Sequence, residues 1–147
     1  YMLRGIPKIL SGDLLKIIRD MGHGDMLVIA DANFPSYGCG KRVASALGSN
    51  AVEILDAILQ LMPLDQYVDD PVSLMPLCGD DKDTPPIWAE IQEVVNKYNG
   101  KTDIKFVERF EFYERTKNAY AVVATGEERQ YGCIILKKGI LREGEAV

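Results

Sequence analysis

Leu14, Ile17, Ile18 and Met21 recur at the i, i+3, i+4, i+7 spacing of one buried helical stripe. Ser11 can cap its start, Asp13 favours the positive end of a helix, and Gly22 stops it. Met26 to Ala30 follows, apolar at every position, as a strand covered on both faces would be. Asp31 emerges at its carboxyl end. Ala32 to Gly48 is rich in turn formers and holds Pro35, so it reads as a loop with at best a short helical piece.

Asn50 and Glu53 resemble a capping box, and Leu55, Ile58, Leu59 and Met62 form a second helical stripe closed by Pro63. Val72 to Cys78 is a strand candidate that Pro76 assigns to an edge or a broken element. Thr84 ahead of Pro85 predicts a third helix, with Ile87, Ile91, Val94, Val95 and Tyr98 on its inner face and Trp88 at the border; Asn99-Gly100 ends it. Ile104 to Phe110 reads as a strand and Glu111 to Asn118 as a short helix carrying a Glu111 to Arg115 pair. Tyr120 to Ala124 and Cys133 to Leu136 are two further β-rich runs. Helices alternating with buried strands predict an α/β fold, with helices packed on a mostly parallel sheet.

Length and composition narrow the classes. At 147 residues, 47% hydrophobic and 27% charged, the chain reads as a single globular domain over 1–147. Its net charge of -5 leaves no basic excess to displace counterions, so nucleic acid is not expected as a partner. No apolar run approaches the roughly 20 residues a membrane span needs, and the N-terminus shows no signal-peptide pattern, which points to the cytoplasm. Cys39, Cys78 and Cys133 are unpaired in number and spacing and read as reduced thiols.

His23 is the sole histidine. As a bare residue it fits a structural place beyond a helix end, where a cation is mildly favoured. Gly22 and Gly24, however, let backbone pass close to a ligand, and Asp31 closes the adjoining strand, so His23 and Asp31 are the candidate acid–base pair, expected together in one site. Asp25 serves equally well as a turn cap or a ligand contact. Glu108 and Arg109 fall on opposite faces of the expected strand, where Arg109 suits either an acidic neighbour or a multi-donor clamp on sugar hydroxyls or carboxylates. Tyr113 and Tyr120 read as core or rim residues, with Tyr120 kept among candidate substrate contacts. Tyr131-Gly132 sets an aromatic ring beside exposed backbone.

Other chemistries lack their residues. The glycines around His23 precede the strand, unlike a dinucleotide fingerprint. Asp80-Asp81-Lys82-Asp83 lacks the glycine and final glutamate of a calcium loop and reads as a solvated acidic turn. One histidine and scattered cysteines form no transition-metal set, and no Gly-x-Ser-x-Gly elbow occurs; no cofactor is expected.

In order along the chain, Met21-Gly22-His23-Gly24-Asp25, Asp31-Ala32-Asn33-Phe34-Pro35, Glu108 to Arg115, Thr125-Gly126-Glu127 and Tyr131-Gly132 resemble the fucose mutarotase and ribose pyranase (RbsD/FucU) family. Arg109 followed by Phe-Glu-Phe-Tyr-Glu-Arg resembles its L-fucose mutarotase branch. The resemblance implies a three-layer α/β/α sandwich with a mostly parallel or mixed sheet and no metal or cofactor. It also implies ring-shaped homo-oligomers, up to a decamer of stacked pentamers, with a sugar pocket near a subunit boundary. It makes His23 the proton donor and Asp31, Arg109, Tyr131, Gly132 and Cys133 sugar-binding positions. The implied activity is exchange of sugar anomers, L-fucose foremost. A sugar-binding or transport-accessory module without turnover, and a ribose pyranase-like paralogue, remain as alternatives. Two departures stand out: Cys133 replaces a common asparagine, and Val43 to Gly48 lacks the family's arginine and acidic residue.

Overall fold

The computed structural model describes residues 2–147; Tyr1 lies outside them. Six strands form one mixed sheet, in the order β2-β5-β1-β6-β3-β4. These are β1 (Met26–Ala30), β2 (Val43–Ala46), β3 (Val72–Leu74), β4 (Lys105–Phe106), β5 (Ala121–Thr125) and β6 (Ile134–Lys137). β5 runs parallel to both β1 and β2, and β4 parallel to β3, whereas β6 is antiparallel to β1 and β3.

Alternation along the central strands divides the core into two halves. Leu27 and Ile29 of β1 join Ala121, Val123, Ile134 and Leu136 in the larger half. It is completed by α1 (Gly12–Asp20), α3 (Ala51–Leu59) and α4 (Pro86–Asn99). Val28 and Ala30 point the other way, towards Val122, Ile135 and Phe112. This second half lies under α5 (Arg109–Asn118), which packs beside the single turn α2 (Ser36–Cys39). The result is the expected sandwich, with a mixed sheet.

Local signals set most helix ends. Ser11 Oγ accepts the Leu14 amide at 3.2 Å. Asn50 Oδ1 accepts the Glu53 amide at 2.9 Å while its Nδ2 donates to Glu53 Oε1 at 2.7 Å, each group satisfying the other. Gly100 ends α4 with φ of 72°.

Three expectations change. Ala32 to Gly48 is not all loop, because Val43–Ala46 forms strand β2 on the sheet edge beside β5. Its apolar character is too slight to reveal it; pairing with the buried β5 supplies the order. β3 is short but not at the edge, since it lies between β6 and β4. The segment 104–110 is strand only at Lys105–Phe106, and Glu108 and Arg109 are not strand residues. The Glu108 carboxylate accepts the amides of Phe110 and Glu111 at 3.0 and 3.1 Å, so it caps α5, and Arg109 opens that helix. No helix among the described residues is long and apolar enough to cross a membrane.

Candidate active site

The strand directions collect chain exits on one edge of the sheet. β1, β3, β4 and β5 all end there and β6 begins there, as the pairs Ile29 with Ile134, Leu74 with Ile134 and Leu74 with Phe106 require. Loops at the carboxyl ends of strands are where open α/β sheets bind ligands. A cleft of about 380 Å³ lies at this edge, reached by Asp31 after β1, Met75 and Cys78 after β3, Arg109 at the start of α5, and Tyr131 and Cys133 before β6. Asn33, Asp81 and Gln130 complete its wall. None of these three was singled out from the sequence: Asn33 lies in the Asp31-to-Pro35 motif but carries no role there, Asp81 belongs to the acidic stretch read as merely solvated, and Gln130 has no motif around it.

Each wall group is held. Asp31 Oδ1 accepts the amides of Asn33 and Phe34, both at 3.0 Å, and the Asp31 amide donates to Cys133 Sγ at 3.4 Å. Cys133 is buried, and desolvation, reinforced by the Asp31 charge, pushes its thiol well above the ordinary value. Arg109 Nε donates to the Tyr113 hydroxyl at 3.1 Å, and its guanidinium lies 5.6 and 5.5 Å from the rings of Phe110 and Tyr113. Tyr131 donates its hydroxyl proton to Asp81 and accepts the Cys78 amide at 3.1 Å. The Asp81 carboxylate raises the Tyr131 phenol above its usual range. Tyr131 has φ of 65°, left-handed backbone that a bulky side chain adopts only when its surroundings enforce it.

His23 is not in this cleft. It precedes β1 and therefore sits on the opposite edge, where Met26 faces Lys137 and the Asp65 amide donates to the Lys137 carbonyl at 2.9 Å. A five-residue strand separates it from Asp31, roughly 17 Å of chain at the usual rise. The expectation that both share one site within a chain is thus overturned: residues at the two ends of a strand face opposite edges. Tyr120 is likewise on the His23 edge, its ring under Arg42 at 4.1 Å. The Asp25 carboxylate accepts the Gly22 amide at 2.8 Å and so caps the turn around His23. Of the expected site residues, the structure unites Asp31, Arg109, Tyr131 and Cys133, with Gly132 between the last two, and leaves His23, Asp25 and Tyr120 apart.

The far edge has a built pair of its own. His23 Nε2 lies 3.0 Å from Asp65 Oδ1, the imidazole side chain 45% exposed and the carboxylate 5%. Burial disfavours the Asp65 charge, but bonds from His23 and from the Tyr67 amide, the latter at 3.0 Å, outweigh it and lower its pKa. Tyr67 sets its ring against the imidazole, centroids 5.6 Å apart. Asp65 carries no sequence signal, because only the fold brings residue 65 to residue 23. Among the described residues, no three metal-ligating side chains converge on one point.

Comparison with known proteins agrees with this architecture. A fucose mutarotase of Mus musculus is 47% identical, with 97% of each chain covered. The crystal structure of the fucose mutarotase from Streptococcus pneumoniae in complex with L-fucose superposes with a TM-score of 0.90 at 47% identity, covering 95% of this chain and all of that one. Bacillus subtilis RbsD complexed with D-ribose is more distant, with a TM-score of 0.70 at 26% identity, covering 97% of this chain and all of that one. Residues 4–141 match the sequence profile of the RbsD / FucU transport protein family, and the chain belongs to that family.

Proposed function

We propose that this protein is an isomerase that interconverts the α and β anomers of L-fucose. Its likeness over nearly the whole chain to a fucose mutarotase solved with L-fucose carries the reading. The cleft supports it: carboxylates, amides and a guanidinium suit hydroxyl groups, and Met75 and Cys133 offer apolar contact. D-Ribose is the weaker choice, since the ribose-bound relative is the more distant fold.

Anomer exchange changes no oxidation state. A proton goes to the ring oxygen as its bond to C1 breaks, and the C1 hydroxyl loses one as the aldehyde forms. Rotation about C1–C2 and the reverse transfers close the ring on the other face. We assign the first proton to His23 and the second to Asp31 or a water it orients, a division supplying about 10²–10⁴ in rate. Because these groups occupy opposite edges of one chain, the site is completed by His23 of a second copy in a homo-oligomer. The exposure of the imidazole, braced from behind by buried Asp65, supports this. A cytoplasmic setting fits the three free thiols.

NMR saturation transfer with L-fucose, D-ribose and D-galactose tests the activity; acceleration is expected for L-fucose above the others. Thermal stabilisation by the sugar without faster exchange would mark a binding module instead. For the shared site, His23→Ala and Asp31→Asn are each expected to be inactive, and co-refolded mixtures to regain activity through boundaries carrying both native groups. Mixtures as inactive as the single variants would overturn the shared site.

A further inference from the structure

Tyr131 holds a backbone conformation it does not favour, and the cleft wall depends on it. Three kinds of contact surround that residue. Its phenol is tied to Asp81 and Cys78, its carbonyl accepts the Trp88 indole N–H at 3.1 Å, and the chain before it folds around an ion pair. In that pair the Glu127 carboxylate accepts the Arg129 backbone amide at 3.2 Å, Nε at 3.1 Å and Nη2 at 3.1 Å, while Nη1 reaches Glu90 on α4. Glu127 is 4% exposed. Its carbonyl also accepts the amide of Ala32, the residue after Asp31, at 2.8 Å. One residue therefore touches both walls of the cleft.

We infer that Glu127 and Arg129 are positioning residues for the sugar site: clamped to α4 through Glu90, they hold the 127–132 loop so that Tyr131 stands left-handed with its hydroxyl on Asp81. The supporting charges are consistent with a permanent bridge. Burial works against the Glu127 carboxylate, but the Arg129 bonds outweigh it and lower its pKa, and Glu127 with Glu90 raises that of Arg129. Bidentate arginine–carboxylate geometry adds orientation that a lysine cannot reproduce.

The inference rests on the L-fucose reading, so its test includes a signal independent of turnover. Trp88 is the sole tryptophan, and its indole N–H reports the loop as one resonance. Glu127→Gln and Arg129→Lys are expected to raise KM for L-fucose about tenfold, the loss of one charge-assisted hydrogen bond, with kcat little changed. The indole resonance should shift in both, without sugar present. Glu90→Gln, at a half-exposed position, should shift it less while leaving the fold intact. Parent KM values, or an unmoved indole resonance in Glu127→Gln and Arg129→Lys, would overturn the clamp. A parent without exchange activity would instead sink the mutarotase reading, and the clamp would still be judged by the indole signal. If Glu127→Gln fails to fold, Arg129→Lys and Glu90→Gln decide.

Discussion

His23 Nε2 sits 3.0 Å from Oδ1 of Asp65, a carboxylate almost wholly withdrawn from water. The carboxylate fixes the ring's orientation, since its Oδ1 is itself held by the Tyr67 amide. Asp65→Asn keeps the shape and removes the negative charge that faces the imidazole. Anomer exchange should fall by about 10²-fold, a large share of what general acid–base catalysis contributes. Saturation-transfer rates at fixed sugar concentration check this; parent-like exchange would remove Asp65 from the mechanism.

Stability should fall on acidification. Asp65, Asp56 and Glu127 all have carboxyl pKa values lowered in the folded protein. For Asp56, burial opposes ionisation, but the Tyr98 hydroxyl at 2.8 Å and Gln60 at 3.0 Å prevail. A lowered folded pKa means that stabilisation is complete above the unfolded value of about 4 and is lost as pH drops through the folded one. The urea midpoint should therefore hold near neutrality and decline below about pH 4. Asp56→Asn should make the decline shallower, and a parent midpoint unchanged down to pH 3 would contradict the linkage.

Two glycines should differ in their tolerance of a methyl group. A Cβ on Gly126 would lie 2.2 Å from the Leu47 carbonyl oxygen, a backbone atom that cannot step aside. At Gly132 the nearest atom is Ile87 Cδ1 at 3.0 Å, the movable end of a side chain. Gly126→Ala should cost upwards of about 3 kcal/mol and Gly132→Ala about 1 kcal/mol, spanning the range for overpacking. Equal losses in urea unfolding would show that the β5 exit can yield.

The thiols should react unequally. Burial and the nearby Asp31 charge suppress ionisation of Cys133, whereas Cys39 and Cys78 are partly exposed. Iodoacetamide at neutral pH should label Cys39 and Cys78 in the folded protein and reach Cys133 only after denaturation. Peptide mass spectrometry reads this directly, and early labelling of Cys133 would mean that the cleft floor opens.

Helices α1, α3 and α4 were legible from their stripes and stop signals, because a 3.6-residue period and a cap are properties of neighbouring residues. Strands β1, β5 and β6 were legible because each is built on a run of consecutive apolar residues. β2 was not, being short and weakly apolar, and ordered by β5 rather than by itself. The helix over residues 111–118 was legible, but its start at Arg109 was not, because Phe106, Val107 and Phe110 imitate a strand and Glu108 acts as a cap only once its carboxylate turns back onto the following amides.

The chain alone determined the main helices and the central strands, the two-sided core and, through its ordered motifs, the family; these depend on spacing and residue type. Tertiary structure decided which groups meet. Strand direction sent Asp31 and Arg109 to one edge and His23 to the other, and chain crossing delivered Asp65 to His23 and Asp81 to Tyr131. The physical reason is that a side chain's partner across space is set by how strands pair and in which sense they run, and neither is written in any local stretch of sequence.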